Sequence, residues 1–74
     1  MDKWLEEFGA KFVQLGYIMQ LIAWYEPTGQ RLYITLWKTV NGVQDKHESF
    51  SCDNEIEVFM YLEEKLEEYA NAPS

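Results

Sequence analysis

Apolar residues recur along this chain with two different periods. Trp4, Leu5, Phe8, Phe12 and Leu15 return at three- and four-residue steps, the spacing that gathers side chains on one stripe of an α-helix, so residues 2–15 are predicted helical. Asp2 is placed to cap the start, Glu6 and Glu7 suit the positive end of the dipole, and Gly16 suits a C-terminal stop. Gly9 lies inside, where glycine weakens a helix by about 1 kcal/mol but permits close approach to a neighbouring element. From residue 17 the period shortens to two. Residues 17–25, YIMQLIAWY, read as a strand. Glu26-Pro27-Thr28-Gly29 reads as a tight turn, because proline fixes φ at the second turn position and glycine accepts the left-handed one. A second strand is expected over 30–40, and a third over 43–51. Between them lies Asn41-Gly42, a pair that tolerates positive φ at both hairpin positions. After the capping pair Asp53-Asn54 the helical period returns. Ile56, Phe59, Leu62, Leu66 and Tyr69 make the predicted stripe of a helix ending near Ala70, with Ala72-Pro73-Ser74 as a frayed tail.

This order predicts an α+β fold: helix, three-stranded antiparallel meander, helix, in a single domain over residues 1–74. Short connections make sequential strands neighbours, so the second strand is central. Both helices are expected on one face of the sheet; the alternative is one helix on each face, in three layers.

Both alternating phases of the first two strands are apolar, which is unusual for a sheet wetted on one side. A three-residue Pro-Thr-Gly loop would pair Glu26 with Gln30, setting Trp24 opposite Leu32, Ile22 opposite Ile34 and Gln20 opposite Leu36. That face, completed by Ile18 and Val40, is the expected core. The other face would carry Tyr17, Met19, Leu21, Ala23 and Tyr25 from the first strand, and Arg31, Tyr33, Thr35, Trp37 and Thr39 from the second. Tyr, Trp, Met and Arg are the types enriched at protein interfaces. The third strand is polar in both phases until Phe50 and reads as a charged edge; a bulge after Asn41-Gly42 would move Phe50 beside Leu32.

Charge changes the picture. Thirteen acids face six bases, for a net charge of −7. Seven of the acids lie from Asp53 onward, where Lys65 is the lone base, so the second helix holds nearly all of the excess. Direct binding to nucleic acid or to an anionic membrane surface is excluded as an expectation, since both need a basic footprint. The single cysteine, Cys52, and the acidic start MDKWLEEF fit a reducing cytoplasm better than secretion.

Candidate chemistry is thin. Asp45, His47 and Ser49 alternate on one strand face, but without a nucleophile elbow, an oxyanion hole or a dry pocket, polar cover of an edge is the better reading. His47 and Cys52 are too few for a structural zinc site, so neither a cofactor nor a metal is expected, and Cys52 is read as filling a core edge. Glu57, Glu64 and Glu68 flank Tyr61 on the second helix. The four-residue like-charge pairs Glu63/Glu67 and Glu64/Glu68 each cost a few tenths of a kcal/mol, which a basic partner would relieve.

No catalysis is expected. The sequence predicts a small acidic protein-binding module, with Tyr17, Met19, Tyr25, Arg31, Tyr33 and Trp37 on its sheet and Glu57, Tyr61, Glu64 and Glu68 on its helix as partner-binding residues. The expected partner is a basic nucleic-acid-handling protein, blocked by the acidic row, or a second copy in a homodimer packed through the aromatic face. Small size, acidity and the lack of chemistry form a profile shared with many phage-encoded inhibitors, anti-CRISPR proteins among them, without a shared motif.

Overall fold

The computed structural model describes residues 3–72. Its elements are α1 (Lys3–Gln14), β1 (Tyr17–Glu26), β2 (Gly29–Val40), β3 (Val43–Cys52) and α2 (Glu55–Ala70). The strands form one antiparallel sheet in the order β1-β2-β3, so the fold is the α+β helix–meander–helix that the two periods predict. The expected cap at Asp2 and the tail residues Pro73 and Ser74 lie outside the described residues. α1 stops where expected: Gly16 takes φ 89°, and its N–H donates to the Val13 carbonyl at 3.0 Å. Asn54 caps α2, its side chain accepting from the Glu57 N–H at 2.9 Å. Asn41 and Gly42 both have positive φ, and Val40 pairs with Val43 across this two-residue turn.

Leu32, Ile34 and Leu36 of β2 share one cluster with Leu5, Phe8 and Phe12 of α1 and with Val58, Leu62 and Tyr69 of α2. These β2 residues alternate onto one side, so both helices cover the same face. Edge-to-face contacts join the helices, Trp4 and Phe8 each lying 5.4 Å from Phe59 between ring centroids. Cys52 fills the core edge below α2. The α2 stripe is rotated from the expected one: Val58 is buried and Ile56 is 72% exposed. The residues facing the sheet are 58, 62 and 69, because Tyr61 and Lys65 turn toward β3 and draw the helix round.

Two register findings decide which side chains face the helices. The first hairpin has a two-residue loop, Pro27-Thr28, with Gly29 at φ 131° paired to Glu26. Ala23, Leu21 and Met19 therefore stand opposite Leu32, Ile34 and Leu36, where Trp24, Ile22 and Gln20 were expected. A one-residue slip exchanges the two faces of a strand. Gln20 supplies the physical reason: the expected register would bury its amide against Leu36, at a cost of about 1–3 kcal/mol if unpaired. The second finding is a bulge. Leu36 pairs with Glu48 while Trp37 pairs with Lys46, leaving His47 as the extra residue. The bulge brings Phe50 beside Ile34, two ladder pairs from the expected Leu32, whose partner is Cys52.

Candidate protein-interaction site

The face of the sheet turned away from both helices is built from the phase of β1 that holds Ile18, Gln20, Ile22 and Trp24, together with Arg31, Tyr33, Thr35 and Trp37 of β2. Ser49, Ser51 and Lys46 extend it on β3. Trp24 is 58% exposed and Tyr33 40% exposed; Ile18 and Trp37 are half-buried by their neighbours on the same face. The Trp37 indole N–H donates to the Gln20 side-chain carbonyl at 2.9 Å, so this ring already has its polar group satisfied within the chain. Its charged residues are cationic, Arg31 and Lys46, with Glu26 at the hairpin end.

Of the sheet residues predicted to meet a partner, Arg31, Tyr33 and Trp37 stand on this open face. Tyr17 and Met19 do not; both are half-buried beneath the helices, and Tyr17 stacks on Tyr69 at 4.4 Å between centroids. Tyr25 belongs to their phase but lies beyond the helices and is 81% exposed at the hairpin end. All three corrections follow from the shorter loop. The same slip delivers Ile18, Ile22 and Trp24, read from the sequence as core, to the open face. The polar Gln20, central in their phase, was the signal that this phase meets water.

On α2, Ile56, Met60, Glu63, Glu64 and Glu67 follow helical spacing along the exterior; all are exposed, Met60 by 64%. Among the described residues Glu57, Glu63, Glu64 and Glu67 make no ion pair. Tyr61 is turned inward toward β3, whereas Glu68 pairs with Lys65 and stays exposed. Tyr61 stacks on Phe50 at 4.4 Å, and its hydroxyl donates to Glu48 at 3.3 Å. Lys65 lies 2.7 Å from Glu48 and 3.2 Å from Glu68. Partial burial works against ionisation of Glu48, but the hydrogen bond and charge of Lys65 outweigh it and hold the carboxyl below its usual range. Burial, and then the Glu48 carboxylate, push the Tyr61 hydroxyl up to about 12. Lys65 is held above its ordinary value, first by its hydrogen bond to Glu48.

The bulge dismantles the Asp45–His47–Ser49 alternation. His47 turns to the helix side, its ring centroid 5.4 Å from that of Tyr17 and 5.3 Å from that of Tyr69, and its Nε2 3.8 Å from Glu48. Ser49 remains on the open side. The Tyr69 hydroxyl is buried and makes no hydrogen bond among the described residues; burial first, and then the Glu48 carboxylate, raise its pKa. Burial likewise raises the Cys52 thiol, which donates to the Asn54 carbonyl at 3.4 Å. Among the described residues no three His, Cys, Asp or Glu side chains are grouped to hold a metal ion, and no helix is long and apolar enough to cross a membrane. No protein-family model matches the chain, and no curated protein or solved structure shows significant similarity to it.

Proposed function

We propose that this chain is a small acidic protein-binding module that acts by covering a surface and carries out no catalysis. One observation supports this most: Ile22, Trp24 and Tyr33 stay exposed on a sheet face that neither helix reaches. Contiguous apolar surface rimmed by polar groups usually marks a site of association, and Trp, Tyr and Arg are the residues that dominate binding energy there. The paired substitution Tyr33→Ser and Trp37→Ser tests it. Association with protein partners is lost while the far-ultraviolet circular dichroism is retained; association that survives the substitution sinks the reading.

The exterior of α2 favours a sharper version, in which the module blocks a basic, nucleic-acid-handling protein. Glu57, Glu63, Glu64 and Glu67, which make no ion pair among the described residues, share this helix with the exposed Ile56 and Met60, so apolar contact and charge would act together. Such a complex weakens steeply as salt rises. Affinity unchanged between low and high ionic strength would remove this version and leave the sheet face as the recognition surface.

A further inference from the structure

We propose that the occupant of the open sheet face is a second copy of this chain, packed sheet to sheet about a twofold axis that crosses β2 at Thr35. The inference rests on the reading of that face as a protein-binding surface and names its partner. Three strands of about ten paired residues, with about 3.3 Å per residue and about 4.8 Å between strands, present roughly 500 Å² per copy. Two copies bury roughly 1,000 Å², at the low end for a specific interface, the size class of weak, reversible association.

Charge disfavours a basic partner on this face, and it admits a second copy only where the Arg31 and Lys46 side chains of the two copies are kept apart. The sheet face carries Arg31 and Lys46, which repel a basic surface, and the excess acid sits on α2 behind the sheet. Pairing through the open faces leaves the two α2 layers on opposite outer sides, roughly 30 Å apart, well beyond the screening length of about 8 Å at physiological salt. The net charge of −7 on each copy therefore does not oppose this contact strongly.

Charge also selects the symmetry. An axis parallel to β2 would set Arg31 directly against Arg31 of the other copy. An axis running across the strands at Thr35 sets Tyr33 against Trp37 and Arg31 against Thr39, and each contact occurs twice, as twofold symmetry requires. On the flanking strands it sets Ile22 against Ile18 and Lys46 against Ser51. No cation then meets its own image. The Trp37 N–H enters the contact already bonded to Gln20, so its burial orphans no donor.

Sedimentation velocity on the full chain over a range of micromolar concentrations tests the proposal. Wild type is expected to shift reversibly from monomer to dimer. Tyr33→Ser with Trp37→Ser is expected to raise the dissociation constant by about 100-fold or more. Thr35→Arg, which removes no core contact, sets two guanidinium groups together on the axis and is expected to weaken the dimer by at least about tenfold. A dimer insensitive to Thr35→Arg, in a variant with wild-type circular dichroism, overturns the proposed axis and with it the proposal. A chain that remains monomeric and binds a different protein through Tyr33 and Trp37 overturns self-pairing while leaving the protein-binding reading intact. A monomer that associates only with a single-stranded oligonucleotide overturns both.

Discussion

Along β2, Leu32, Ile34 and Leu36 are at most 5% exposed, while Tyr33, between the first two, keeps 40% of its surface in solvent. These residues share one backbone and one set of ladder bonds, so the difference lies in what covers each face. The helix-covered face is aliphatic at its centre, and the side chains of α1 and α2 complete it. The open face uses large amphipathic rings whose polar groups keep contact with water or with a neighbour, as Trp37 does through Gln20. A face of the first kind carries the stability of the fold; one of the second kind tolerates water. The polar corner where β3 meets α2 is intermediate: Glu48, Lys65 and Tyr61 satisfy one another there, and the Tyr69 hydroxyl makes no hydrogen bond among the described residues.

The largest test of this contrast sets one face against the other. Leu36→Ala is expected to cost about 3–4 kcal/mol, enough to unfold much of so small a domain, whereas Tyr33→Ser with Trp37→Ser should cost about 1–2 kcal/mol in the same urea titration. Equal costs would mean that the open face also belongs to the monomer core. Next in size is Tyr69→Phe, which removes a buried hydroxyl without a hydrogen bond and should raise stability by about 1 kcal/mol in thermal melts. A loss of stability would show that this hydroxyl reaches Glu48.

Gly9→Ala sharpens the assignment of β1. An added Cβ would lie 3.8 Å from the Met19 Cε, an ordinary contact, so the helix should gain about 0.5–1 kcal/mol. Destabilisation would mean that Met19 packs more tightly under α1 than this distance allows.

The smallest effect concerns pH. Glu48 is held below its ordinary value of 4.5 in the folded state, so its contribution is present above that pH and is lost as pH falls through the folded value. Lys65 is held above 10.5, so its contribution is complete below that pH and is lost as pH rises through the folded value. Glu48→Gln should cost under about 1 kcal/mol at neutral pH, since the pair is partly solvated, and should flatten the acid limb of a stability-against-pH curve. An unchanged acid limb would mean that the Lys65 contact contributes nothing.

Much of this architecture was legible in the residues themselves. The helical period of Leu5, Phe8 and Phe12, the Asn41-Gly42 turn, the Asn54 cap and the Gly16 stop each act within a few residues, so local chemistry defines the elements and their order. Leu32, Ile34 and Leu36 could be read as core because they repeat with strict alternation on the central strand. Arg31, Tyr33 and Trp37 followed as the opposite phase, and the acidic exterior of α2 was plain in its run of glutamates. The facing of β1 was not legible in the same way. Both of its phases are apolar, so alternation assigns neither to the core, and one residue of loop length decides between them. Tertiary packing made that choice, placing Met19 and Leu21 against the helix-covered core and Gln20 where Trp37 can donate to it. Packing likewise turned α2 so that Val58 is buried and Ile56 exposed, and its polar contacts to β3 accompany a bulge that carries His47 to the helix side. Local sequence determined which elements form, because capping, turn geometry and periodicity are short-range. Only the assembled fold decided which face each element shows, because that depends on contacts between residues far apart in the chain.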